Sequence, residues 1–191
     1  MAISLKTIRH LVLGSLLAFG SLSHAQGRYY TKSAKLFFQC TKSPLEKVEA
    51  TNKSGTCVLD TQSGQVQFAV LMKGFEFAKA LMQEHFNENY VESDRFPRSE
   101  FRGQVINNAD IHYGKDGSYP AHVKGTLQIH GESRPVEANG TILIKGGKPS
   151  LAATFTILLS DYKIAIPSVV SDKISNSVDI SVEGALEPLK N

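Results

Sequence analysis

Tyr119-Pro120-Ala121-His122-Val123-Lys124-Gly125-Thr126-Leu127-Gln128-Ile129-His130-Gly131 is the clearest strand signal in this 191-residue chain. Ala121, Val123, Gly125, Leu127 and Ile129 fall on one side, and His122, Lys124, Thr126, Gln128 and His130 on the other. Alternation of period two is the signature of a strand with one buried face. The same pattern extends in both directions. Downstream, Glu132 to Pro135 reads as a turn and Val136 to Ile144 as a return strand, followed by a Gly146-Gly147 hairpin. Leu151 to Leu159 then brings Ala153, Phe155 and Ile157 to one face, and Val178, Ile180, Val182 and Leu186 mark a last strand. Upstream, Glu100 to Asn107 groups Phe101, Gly103 and Val105, while Gln65 to Lys73 groups Val66, Phe68, Val70 and Met72. Cys57 to Asp60 reads as an edge, Asn52-Lys53-Ser54-Gly55 as a turn by composition, and Leu45 to Ala50 as a short strand after a Ser43-Pro44 turn. Tyr29 to Gln39 is the first strand.

About eight strands joined by short turns imply antiparallel pairing, because parallel neighbours need long crossovers. Eight is also about the number at which a closed barrel either fills with side chains or holds one small ligand. The expected fold is therefore all-β, an eight-stranded antiparallel barrel, with a two-sheet sandwich as the other arrangement of the same strands.

One stretch departs from this period. In Phe75 to Phe101, Phe75, Ala78, Met82 and Phe86 recur at three- and four-residue steps, as on a helix of about three turns with one apolar stripe. Glu92-Ser93-Asp94 breaks the stripe and Pro97 stops it. The expected picture is a barrel with one short helical insertion covering an end.

The first 25 residues stand apart. Lys6 and Arg9, the apolar run Leu11 to Phe19 and the small-x-small Ser23-His24-Ala25 read as a secretory signal cut after Ala25, leaving a barrel domain over 26–191. No stable membrane span is expected after cleavage. Without Lys6 and Arg9 the 21 basic side chains fall to 19 against 18 acidic, a net charge of +1, and no basic stripe remains to attract nucleic acid. Export would place Cys40 and Cys57, the only cysteines, in an oxidising compartment, where an even count favours a Cys40–Cys57 disulfide.

Catalytic chemistry finds little support. His122 and His130 lie on one strand face but roughly 27 Å apart, and Asp110 with His112, or His85 with Glu88, are only pairs where a metal site needs three or four ligands. Serine sits in no nucleophile elbow, and no glycine-rich loop precedes a helix. Asn52 and Asn139 begin glycosylation sequons. What remains is apolar surface in quantity, either a packed core or an apolar ligand cavity of the kind in which small barrels hold elongated lipids.

Gly125-Thr126-Leu127-Gln128-Ile129-His130-Gly131 with Arg134-Pro135-Val136 resembles the "G-x-L-T-I-H-G-x-T-K-P-V" stretch of the YceI-like proteins. Glu92-Ser93-Asp94-Arg95-Phe96-Pro97 leading to Phe101-Arg102-Gly103, and Leu159-Ser160-Asp161-Tyr162-Lys163-Ile164, are similar to two further segments of that family, in the same order. The similarity runs from about Tyr29 to about Leu186. It implies a lipocalin-like barrel in the periplasm with a lumen able to take a polyisoprenoid or other long-chain amphiphile. It brings no catalytic residues, and implies that Gly131 permits a turn while His130 hydrogen-bonds nearby backbone. The chain departs from the family where its first strand, Leu36 to Lys42, lacks a histidine, and where only Lys73-Gly74 precedes the helical stretch.

The resulting expectation is a non-enzymatic, periplasmic or secreted protein that binds an isoprenoid-like or fatty lipid, without a cofactor, as a monomer or a dimer. Its lumen-lining candidates on the strands are Phe68, Val70, Met72, Phe101 and Val105, with Val123, Leu127, Ile129, Phe155 and Ile157 beyond the helix. Phe75, Met82 and Phe86 would form the cover. The alternative is an interaction or stress-response module with a filled core and no ligand.

Overall fold

A computed structural model describes residues 27–41 and 47–189; the signal over 1–25 and the Ser43-Pro44 turn lie outside the described residues. The strands are β1 (Arg28–Thr41), β2 (Glu49–Asp60), β3 (Gln65–Leu71), β4 (Arg98–Val105), β5 (Gly117–Ile129), β6 (Glu132–Lys145), β7 (Lys148–Leu158), β8 (Ile174–Ala185) and the two-residue β9 (Glu187–Pro188). Each long strand pairs antiparallel with the next, and β1 pairs with both β2 and β8. The sheet is therefore a closed eight-stranded barrel with no free long edge, which excludes the sandwich and removes the need to protect an edge. Cys57 to Asp60 is accordingly the end of β2, paired on both sides as far as Leu59, and not an edge.

The strand that decides the fold lies as its alternation requires. In the β4–β5 register Phe101 faces Leu127, Gly103 faces Gly125 and Val105 faces Val123, and Ala121 and Leu127 are buried on the inner face. Two hairpins use left-handed pairs, His130-Gly131 and Gly146-Gly147, as two-residue turns between right-twisted strands demand. The β5–β6 turn is thus His130-Gly131, not Glu132 to Pro135, which is already strand. Pro135 is accommodated opposite Thr126 in that ladder.

Asn52-Lys53-Ser54-Gly55 is likewise no turn but the middle of β2, opposite two register shifts in β1. Its turn-forming chemistry is used inside the strand. Asn52, fully buried, accepts hydrogen bonds on Oδ1 from the amide and hydroxyl of Ser54 and donates from Nδ2 to Leu71 O. Gly55 is needed for close approach, since a Cβ there would lie 2.7 Å from Leu36 Cδ1 and 2.9 Å from Phe68 Cζ. The Asn52 sequon is therefore inaccessible in the folded protein, whereas Asn139 is exposed.

Cys40 and Cys57 are free thiols, which corrects the disulfide. Cys57 pairs with Thr31 in the β1–β2 ladder, while the Cys40 amide bonds Val48 O near its other end. Nine residues of strand separate Thr31 from Cys40, roughly 30 Å at the usual rise, and a disulfide tolerates only about 7 Å between Cα atoms. Burial pushes the Cys40 thiol up to about 11 and the Cys57 thiol up to about 12, so both are poorly ionised at neutral pH. Thiol counting in denaturant without reductant should find two thiols, both slow to alkylate in the folded protein; a count of none would overturn this register.

Candidate functional site

Inside the barrel the inner faces of the strands leave two joined apolar spaces. The upper, about 440 Å³, lies under the helical segment; the lower, about 110 Å³, lies deeper in the barrel. Leu36, Val70, Ser99, Leu127 and Phe155 line both, so they form a waist in one lumen. Below it, Leu59, Ile144 and Leu186 are each 1% exposed and, with Ile111, pack the far end shut. At the top, exposed Lys79, Leu81, His85 and Lys173 line the same cavity, which therefore opens at that end. From Ile129 above the waist to Ala121 below it, β5 runs eight residues, roughly 27 Å along a strand.

All thirteen lining candidates read from the sequence face this lumen. Met72, Phe75, Met82, Phe86, Ile129 and Ile157 line the upper space; Phe68, Phe101, Val105 and Val123 the lower; Val70, Leu127 and Phe155 the waist. Strand parity groups the candidates on shared faces, and closure of the barrel decides which face is inward. The sequence reading passed over Leu36, Phe38, Cys40, Phe77, Val91 and Ile164. Leu36 and Phe38 carried a signal in the alternation of β1, whereas Val91 and Ile164 lie in irregular backbone that has no period to read.

The cover differs from a single amphipathic helix. Only Ala80–His85 is α-helix, α1, and it widens into a π turn over Phe86–Tyr90. Phe75 and Ala78 precede it, and the connection from the barrel is the longer Met72 to Lys79, which begins with a 3-10 turn. Glu76 bridges backbone to Thr51 of β2 in both directions, which keeps this connection extended and turns Phe75 and Phe77 toward the lumen. Four rings then pack together. Phe38 meets Phe75 and Phe77 edge-on at 5.4 and 5.9 Å and stacks on Phe86 at 5.6 Å, and Phe77 lies 5.0 Å from Phe86. Such geometry is favourable for aromatic quadrupoles and clamps the cover to β1.

The lining is almost entirely hydrocarbon. Its ionisable residues are Cys40, Tyr90 and the rim side chains Lys79, His85 and Lys173 in the upper space, and Cys57 and Glu100 in the lower. Burial raises the Tyr90 hydroxyl above its usual range, with a smaller contribution from nearby Cys40. Such a wall excludes water, favours alkyl chains and places its lysines, Lys79 and Lys173, only at the mouth. His130, as the family resemblance implied, hydrogen-bonds backbone, through Nδ1 to Tyr162 O at 3.0 Å.

The fold has solved counterparts. A polyisoprenoid binding domain from Saccharophagus degradans, implicated in plant cell wall breakdown, is 12% identical with a TM-score of 0.72, covering 86% of this chain and 99% of its own. BcnA of Burkholderia cenocepacia is 15% identical with a TM-score of 0.64, over 81% of this chain and 96% of its own. Among curated proteins no sequence matches. The YceI-like domain model matches residues 28–186, the whole barrel from β1 to the end of β8, and the chain belongs to the YceI-like family.

Proposed function

We propose that this is an exported, periplasmic protein that holds a long-chain amphiphile, isoprenoid-like or fatty, in its lumen and carries or sequesters it without chemical change. The observation that carries this reading is the continuous apolar lumen, about 440 Å³ above the waist and open at one end. That volume falls within the range of small-molecule sites. The printed description of the Saccharophagus relative as polyisoprenoid binding supports the ligand class. Export rests on the Lys6 to Ala25 pattern, and no described helix is long and apolar enough to cross a membrane. A non-catalytic role is supported by the wall itself, because its two buried thiols, Cys40 in the upper space and Cys57 in the lower, are both held protonated by burial.

Native mass spectrometry of protein purified from its own host, followed by organic extraction, tests the reading. The expected result is co-purified lipid, or uptake of an added long-chain isoprenoid alcohol. Protein that arrives empty and retains no added chain would overturn it in favour of a filled-core interaction module.

A further inference from the structure

The three sequence segments that resemble the family supply Phe101, Leu127, Ile129 and Ile164 to the lumen wall, and they also meet at one point behind it. Among the described residues the only non-glycine residues with positive φ are Glu92 at 44°, His130 at 53° and Lys163 at 55°, one from each segment. Each stands next to a lumen-lining residue: Val91, Ile129 and Ile164. The left-handed region costs a non-glycine residue energy unless its surroundings hold it. Here the surroundings are each other. His130 Nε2 lies 2.8 Å from Glu92 Oε2 and Nδ1 lies 3.0 Å from Tyr162 O, with the imidazole side chain only 13% exposed. Lys163 reaches across to Glu132 at 2.6 Å, and the Phe96 ring packs 4.6 Å from the imidazole.

Both partners of the ring are acceptors, a carboxylate and a carbonyl. A neutral imidazole has one N–H and leaves the other acceptor facing a lone pair; only the imidazolium satisfies both. We propose that Glu92, His130 and the Tyr162 carbonyl form a protonation-dependent latch that fastens the exit of the cover, next to Val91, to the barrel. With the imidazolium present, the π turn and α1 are held down over the upper cavity. Loss of that proton frees one contact and loosens the cover, so the latch is closed while the imidazolium persists and opens as pH rises. The cover's other end stays tethered by the Glu76–Thr51 bridge, which makes the motion a hinge.

Charged groups surround the ring from three elements. From the cover's exit come Glu92, Arg95, which lies 3.7 Å from Glu92, and Asp94, paired with Lys73. From β6 come Glu132 and Arg134, and from the β7–β8 connection Asp161, Tyr162 and Lys163. The Lys163 hydrogen bond lowers the Glu132 carboxyl below its usual range, and burial pushes Tyr162 up to about 12. Of the side-chain types present, only histidine ordinarily changes charge near neutrality.

Release of a ligand through the loosened cover rests on the lipid-holding reading; the latch itself does not. The test therefore reads the cover directly, by amide hydrogen exchange of Ala80 to Tyr90 corrected for intrinsic rates. Between about pH 5.5 and about pH 8.5 protection should fall about tenfold in the native chain, the scale of a charge-assisted hydrogen bond. His130→Asn keeps a residue that tolerates positive φ and makes Asn-Gly, the preferred pair for this hairpin, so the turn survives while the latch is lost. Its cover should exchange fast at both pH values. Glu92→Gln supplies an amide that donates to a neutral imidazole, so its cover should stay protected on the alkaline side. In parallel, dissociation of N-phenyl-1-naphthylamine, whose charge is constant over this range, should follow the same pattern. A probe that never enters counts against the lipid-holding reading alone. Cover protection in the native chain that does not change with pH, or the same pH dependence surviving in His130→Asn, overturns the latch.

Discussion

Leu127→Trp is expected to abolish retention of the longest ligands while leaving the barrel folded. Leu127 is 6% exposed, lies opposite Phe101 and lines both the upper and the lower space. An indole at this position projects into empty volume, so the overpacking that costs about 1–3 kcal/mol in a filled core is relieved here. The lower space is then cut off. A tail that places about four methylenes below the waist forfeits about 0.8 kcal/mol for each, so affinity drops by roughly 200-fold. A chain short enough to end above the waist should bind nearly as before. Titration with isoprenoid or alkyl alcohols of increasing length, native chain against variant, gives two curves that separate only beyond a threshold length. Equal affinity for the longest chain would show that ligands do not pass the waist, and a uniform loss at all lengths would place the effect at the mouth instead.

The barrel was legible because its staves obey one rule, one face apolar and the other polar, over lengths too long for chance; β5 alone groups five positions on one face from Ala121 to Ile129. The two-residue Gly146-Gly147 turn was legible for the same local reason, whereas the His130-Gly131 turn was read too late, at Glu132 to Pro135. Other features failed wherever a residue served a partner far away in sequence. Gly55 looks like a turn residue, but its missing Cβ makes room for Leu36 and Phe68. Cys40 and Cys57 look like a pair by count and compartment, yet they sit at opposite ends of one β1–β2 ladder, which composition cannot reveal. The cover read as a three-turn helix because Phe75 happens to fall in phase with Met82 and Phe86, whereas its backbone is held extended at Glu76 by Thr51, 25 positions earlier. Glu92, His130 and Lys163 carried no individual signal, since a left-handed backbone outside glycine is decided by tertiary contacts.

Gly125→Val should be the most destabilising single substitution on the strand from which the fold was read. Gly125 stands directly opposite Gly103, and the Phe101 ring lies over the pair. A Cβ on Gly125 would meet the Arg102 carbonyl at a distance no real Cβ adopts, the Gly103 Cα at 2.6 Å and the Phe101 Cζ at 2.6 Å. Two of these three neighbours are backbone, so no side-chain rotation relieves them; β4 and β5 must part. Separation loses ladder hydrogen bonds and shifts Phe101 into the lower space, a combination expected to cost about 4 kcal/mol or more, hence roughly 10 °C in Tm for a domain of this size. Thr126→Val, next door but on the exposed face, should change stability by about 0.5 kcal/mol or less. The division between ring and backbone is itself measurable. Adding Phe101→Leu to Gly125→Ala removes the ring contact and leaves the Arg102 carbonyl and Gly103 Cα in place, so only part of the lost Tm should return. Full recovery would assign the whole cost to the ring and show that the two strands can accept a Cβ between them.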